Sequence, residues 1–396
     1  MWLFRDVTAR VQAEEALRAT CGKFRTRWAF MEGAAAGQGR RGGRRRGGRH
    51  PGREQPGAGG SAKRGADRPG GGGGRPMSRA ATFFGKIPGR GDFVKGAGHP
   101  PLIGRLDGWA SGAMELIADD PGWKAAYDQA APIDFAFVGA GSGVSVVGHL
   151  RPSADASGRR FPFLAAAAVE RGDTLMFRCA PCGLGEAWCA LGRLAGAAVA
   201  GAPAAAWQDA LEAVDCGAHF DAAIRSDPLG AFVRQTRLDA LAALLGTRPQ
   251  AVARVILAIG LLLRPVLGQP SAGIDKDLIL PLPADPDAAL QVAGLWLYLV
   301  TAFLRHAGLE LQVLIPCGGG RLHLGFRGAT ADTLAGALAP LPSGGRAIHL
   351  TDPDWIDTQP ALTRDPGIAR LASYLARPEI GLEPVVTTFR EVFLGE

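Results

Sequence analysis

The chain changes character at residue 76, and that break limits which part of it can fold. Residues 1–76 hold 17 Lys+Arg against 6 Asp+Glu, an excess of 11 positive charges. They include Gly39-Arg40-Arg41-Gly42-Gly43-Arg44-Arg45-Arg46-Gly47-Gly48-Arg49 and the run Gly70–Gly74. Few large apolar side chains follow Phe30, so the segment cannot bury enough surface to offset the entropy lost on ordering it, and a disordered tail is expected. The overall charge of +7 belongs to this tail, because residues 77–396 carry −4. An arginine-glycine run can hold nucleic-acid phosphates by charge, but this one lacks interleaved aromatic rings for base stacking. Nucleic acid is not the expected partner.

The remaining 320 residues suffice for a substantial core. Ala81–Phe84 reads as a strand ended by the Pro88-Gly89-Arg90-Gly91 turn. Leu102, Leu106, Trp109, Ala113, Leu116 and Ile117 recur at three- and four-residue spacing, which predicts a helix to about Ala118, stopped by Asp119-Asp120-Pro121-Gly122. Strands are predicted around Phe135 and Phe137, from Val144 to Leu150, and over Phe161–Val169. Helical patterns follow at 185–199, 204–214, 229–245 and 249–264. A strand at Leu278–Leu282 then precedes a helix from Asp287 to His306, a hairpin of Leu311–Ile315 with Leu322–Phe326, and a helix near 331–338. Hairpins among helices predict an α+β fold, a largely antiparallel or mixed sheet flanked by helices. The expected organisation is a tail over 1–76, an α/β domain over 77–345 and a helical extension over 346–396. In that extension, Val385, Phe389 and Phe393 form one apolar stripe. It suits docking on the chain's own core or in a partner's groove.

No secretory leader is visible, and the apolar runs Ala251–Leu267 and Ala288–Leu304 read as core helices, the first interrupted by Arg254 and Arg264. The expected location is cytoplasmic, with no membrane span. Cys179-Ala-Pro-Cys182 and Cys216-Gly-Ala-His219 imitate two pairs of zinc ligands, but the pairs lie far apart in alanine-rich, helix-like sequence, so reduced thiols and no metal are expected. Gly139-Ala-Gly141-Ser-Gly143 is followed by Val144-Ser-Val-Val147, a strand pattern, so it reads as a hairpin turn and not a dinucleotide loop. The histidines fall in no metal-binding spacing, no nucleophile elbow occurs, and His149 reads as a hydrogen-bonded structural residue before it reads as a base. No enzymatic activity and no cofactor are expected.

Two loops stand out: Phe84-Gly85-Lys86-Ile87-Pro88-Gly89-Arg90-Gly91-Asp92-Phe93, and Arg151-Pro152-Ser153-Ala154-Asp155-Ala156-Ser157-Gly158-Arg159-Arg160-Phe161-Pro162-Phe163. Arginine is a planar multi-donor group for carboxylate or phosphate, and Asp92 and Asp155 are its natural bidentate partners. One reading is an internal bridge in which Asp92 clamps the loop of Arg159 or Arg160 above Phe93, Phe161 and Phe163. The other is an exposed epitope in which Lys86, Arg90 and Arg160 meet an acidic or phosphorylated partner. The candidate partner-binding or loop-organising residues are Lys86, Arg90, Asp92, Phe93, Ser153, Asp155, Arg159, Arg160 and Phe161.

These two motifs, in this order, resemble the signature of the TagF (ImpM) family of type VI secretion accessory proteins, over about Ala81 to Leu341 and most specifically from Phe84 to Phe163. The resemblance implies a cytoplasmic, non-enzymatic protein that holds type VI secretion off after translation, acting with or against a forkhead-associated scaffold protein and the threonine kinase–phosphatase pathway. No segment resembling the phosphatase found fused to some members is visible. Residues 3–18 resemble the exit of a PAS sensor domain without its body, so Met77 is the expected start. The alternative readings are a nucleic-acid-binding module using the basic tail and a small-molecule sensor with a pocket near Trp296 and Phe303.

Overall fold

A computed structural model describes residues 80–396 apart from 172–173, 269–273, 306 and 340–346. The expectations of a disordered tail, a PAS-like segment and a start at Met77 concern residues outside the described ones.

Strand patterns and cross-strand register build the frame. β1 (Thr82–Gly85) pairs with β2 (Val94–Lys95), a two-residue strand the sequence did not announce. The helices α1 (Pro100–Ala118) and α2 (Trp123–Asp128) lead to β3 (Ile133–Gly139), β4 (Val144–Arg151) and β5 (Phe163–Glu170). Six helices follow: α3 (Leu175–Val199), α4 (Gln208–Glu212), α5 (Cys216–Ile224), α6 (Pro228–Gln235), α7 (Leu238–Leu244) and α8 (Pro249–Gly268). Then come β6 (Asp277–Pro281), α9 (Pro286–Thr301), β7 (Glu310–Pro316), β8 (Arg321–Gly325), α10 (Ala331–Leu338) and β9 (Ala347–His349). The chain finishes with α11 (Ala361–Arg364), α12 (Pro366–Leu375) and α13 (Leu382–Leu394).

Among the described residues the strands form one nine-stranded sheet in the order β2-β1-β5-β4-β3-β7-β8-β6-β9. The β6–β9 pair is parallel, and the other neighbours are antiparallel. The fold is therefore α+β with a mixed, largely antiparallel sheet, as expected. Because successive side chains of a strand point to opposite faces, Ile133, Phe135 and Phe137 enter a core with α1 and α10, while Ala136 and Val138 enter a larger core with α3, α8 and α9. The Gly139–Gly143 stretch is the β3–β4 hairpin turn.

Several boundaries differ from expectation for identifiable reasons. The helix expected at 185–199 begins at Leu175 and runs through Pro181. Met176, Phe177 and Ala180 extend the buried stripe of Leu184, Ala187 and Trp188 upstream, so packing outweighs the missing proline N–H. The helix expected over 229–245 is broken at Thr236 and Arg237, both extended. There Leu238 N–H donates to Ile380 O at 2.9 Å and Leu382 N–H to Thr236 O at 2.9 Å, so a remote segment takes up the backbone groups released by the break. The expected 204–214 helix is a 3-10 turn followed by α4, and α9 stops at Thr301, short of His306.

α8 is long and apolar enough to cross a membrane by length and composition. More than half of that stretch is buried inside the protein, and its two arginines are paired: Arg254 with Asp352 at 2.8 Å and with Asp357 at 2.6 Å, Arg264 with Asp365 at 2.9 Å. This is the pattern of a core helix. α13 uses its apolar stripe internally, with Val385, Phe389 and Phe393 buried and the two phenylalanines packed on Phe303. The stripe is not free for a partner's groove.

Candidate functional site

The two motif loops meet at one end of the sheet because their strands are neighbours: Gly85 at the end of β1 stands opposite Phe163 at the start of β5, which also faces Arg151 at the end of β4. Gly85 has φ +138, and a Cβ there would lie 2.1 Å from Pro162 O. The close approach of the two loops thus requires glycine at this position.

Asp155 is the centre of the junction. Its side chain is fully shielded, and Oδ2 takes Lys86 Nζ at 3.0 Å and Arg159 Nε at 2.7 Å. Oδ1 accepts Ser157 N–H at 2.9 Å, Ser157 Oγ at 2.8 Å and Arg159 N–H at 3.0 Å. Burial alone would raise its pKa; the Arg159 N–H, Lys86 and Ser157 bonds, with the Arg159 side chain, outweigh burial and hold the carboxyl far below the usual range. The two backbones are then stitched together: Arg159 Nη2 donates to Gly91 O at 2.7 Å, and Ala156 N–H to Arg90 O at 2.9 Å.

A second layer lies beneath. Phe84, Phe93 and Phe161 form an aromatic triplet with centroid separations of 4.9–5.8 Å, and Lys86 Nζ sits 5.0 Å from the Phe93 ring centroid. Tyr127 Oη receives Ser153 N–H at 3.0 Å and donates to Ser153 O at 3.2 Å, and its own burial raises the phenol pKa. Arg160 grips Asp128 of α2 in a fork of 2.7 and 2.6 Å.

The internal-bridge reading is therefore correct in kind and wrong in its acid: Asp155, not Asp92, clamps Arg159, and Arg160 is taken by Asp128. Lys86 and Arg160 are not free for a partner, as the epitope reading required. Phe163 lies on the opposite face of the sheet from Phe93 and Phe161, against Phe83 and Trp207. The sequence could not name Asp128 or Tyr127, whose α2 carries no strong periodic signal. Arg90, Asp92 and Phe93 are exposed, the last at 46%, and the side chains of Arg90 and Asp92 make no hydrogen bond or ion pair among the described residues.

A separate group lies where β3, β4 and the end of β7 meet. Asp134 accepts from His149 Nδ1 at 2.7 Å and from Cys317 Sγ at 3.8 Å, and the potential ligand atoms of the three lie within 4.8 Å of one another. The acid stands between the thiol and the imidazole; burial, then the Asp134 carboxylate, push the Cys317 thiol up to about 12, away from the thiolate. His149 is hydrogen-bonded, as expected, and its Nε2 is buried without a hydrogen-bond partner among the described residues. The Cys179/Cys182 and Cys216/His219 pairs form no such cluster among the described residues. Burial first pushes the Cys182 and Cys216 thiols up to about 12, away from the thiolate. Trp296 and Phe303, expected near a ligand pocket, are buried in the larger core.

Residues 82–214 match the family model of the TagF N-terminal domain, type VI secretion system-associated. The chain carries that domain, and the resemblance read from the two loops holds; the match ends at 214, short of the expected Leu341. No curated protein matches the chain. Among solved structures, that of PA0076 from Pseudomonas aeruginosa PAO1 shares 25% identity, covering 34% of this chain and 62% of that one, with a TM-score of 0.28. The chain thus spans less than two thirds of the length of that protein.

Proposed function

We propose that this type VI secretion-associated chain is a non-enzymatic cytoplasmic regulator that holds secretion off after translation, by binding a protein partner through the outer surface of the joined loops. The supporting observation is the division of labour within the motifs: Lys86, Asp155, Arg159 and Arg160 are consumed in building a rigid platform, while the Arg90 and Asp92 side chains stand unpaired among the described residues beside the partly exposed ring of Phe93, which is itself stacked on Phe84. A preorganised cation, anion and aromatic ring side by side suit protein recognition, since little further ordering is needed on binding. Following the family resemblance, the partner is a forkhead-associated scaffold protein.

The test is co-purification of the full chain from cells expressing the secretion apparatus, wild type beside Arg90→Ala/Asp92→Ala. Both substituted side chains are exposed and unpaired, so the variant retains its fold, checked by circular dichroism. Recovery of the scaffold by wild type and a tenfold or greater loss in the variant is expected. Equal recovery by both proteins would return the loops to a purely structural role.

A further inference from the structure

At the far end of the sheet from the joined loops, a cleft of about 410 Å³ opens beside the β3–β4 turn, lined by Ala140, Thr174, Phe177, Arg178, Arg305 and Arg390. Three elements distant in sequence bring the arginines together: the first turn of α3, the segment after α9, and α13. Tyr298 of α9 lies among them, with the Arg178 guanidinium 5.1 Å and that of Arg390 5.7 Å from its ring centroid. Arg390 also donates to Tyr298 Oη.

Among the described residues, one acid answers these three cations. Glu396 takes Arg305 Nη1 on Oε1 at 2.7 Å and Arg305 Nη2 on Oε2 at 3.2 Å, and it also accepts from Arg390. The Arg178 guanidinium has no ion-pair or hydrogen-bond partner among the described residues; its contact is the Tyr298 ring. Counted over the described side chains, the cleft holds two positive charges in excess, on a stretch of chain, residues 77–396, whose net charge is −4. Half-exposed ion pairs contribute little to stability, and gathering like charges opposes folding, so tethering Glu396 does not account for a third arginine.

We propose that this cleft is a binding site for an oxyanion of the phosphate-monoester class, and that Glu396 is its resident competitor. A carboxylate supplies one charge and two acceptor atoms, which Arg305 and Arg390 saturate. A phosphate monoester supplies nearly two charges and three strong acceptors, the number needed to engage Arg178 as well. Phe177 and Ala140 give the cleft an apolar wall beside the arginines, the usual mixture of a small-ligand pocket, and Tyr298 holds Arg178 and Arg390 from behind. Ligand and Glu396 exclude each other, so binding releases the segment after α13 from Arg305 and Arg390.

The full chain is titrated calorimetrically with inorganic phosphate, glycerol 3-phosphate and a phosphoserine peptide, using wild type, Arg178→Gln and Glu396→Gln. Arg178 holds no ion pair, so its variant keeps the fold, confirmed by circular dichroism. Expected are saturable binding to wild type, a tenfold or greater loss in Arg178→Gln, and several-fold tighter binding in Glu396→Gln because the competitor is gone. Preference for the peptide would assign the ligand to a phosphorylated protein, and preference for glycerol 3-phosphate to a free phosphate ester. Binding unchanged by Arg178→Gln would report only the basic tail and overturn the proposal, as would a Glu396→Gln variant that binds no more tightly than wild type.

Discussion

Asp155 gathers five donor contacts from three residues into a space sealed from solvent, and Lys86 is buried with it. A carboxylate held this way is ionised in the folded protein at pH values where it is protonated in the unfolded chain. Its contribution to stability is complete above the unfolded carboxyl pKa of about 4 and declines as pH falls below that toward the depressed folded value. Thermal melts of wild type against Asp155→Asn between pH 2 and 7 check this. The variant is expected to melt lower at pH 7, with the gap closing below pH 4; a gap independent of pH would show that its charge is not what matters. The sequence placed both loops but assigned the clamp to Asp92, because acids in glycine-rich turns look alike until the strands carrying them are set side by side.

The last helix shows how an amphipathic pattern is resolved by packing. Val385, Phe389 and Phe393 were legible as a stripe, and the structure seats that stripe on Phe303 and α8, where a Cβ at Gly260 would lie 2.2 Å from the Phe393 ring. Phe389 is completely buried, so Phe389→Ala is expected to cost about 3–5 kcal/mol in urea unfolding. A loss under about 1 kcal/mol would mean that α13 is not part of the core. The break between α6 and α7 was illegible for the converse reason: Thr236 and Arg237 carry no local stop signal, and the partners that favour their extended backbone lie some 145 residues further along.

One sheet joins the loop platform at its β1 end to the β6–β9 edge, with a core on each face. Perturbations at the two ends are therefore expected to act on one cooperative unit. Gly85→Ala forces a side chain against Pro162 at a positive φ and is expected to cost more than about 1 kcal/mol. Calorimetry of Gly85→Ala and Phe389→Ala, singly and together, should show the same transition moved by each. Two transitions, each answering to one substitution, would divide the sheet into independent units.

What could be known in advance was everything carried by neighbours in the chain. Alternating and 3.6-residue apolar patterns marked most strands and long helices, the valines after Gly143 marked a hairpin turn, and the ordered glycines, arginines and phenylalanines of residues 84–163 marked the domain that the family model matches. What waited for the tertiary structure was every pairing between distant segments: Asp155 with Lys86, Arg160 with Asp128, Asp134 with Cys317, and Arg178, Arg305 and Arg390 around one cleft. The reason is physical. Local periodicity reports which side of an element faces the core, whereas the partner of a charged side chain is set by strand order and helix packing, which bring together residues up to about 200 positions apart.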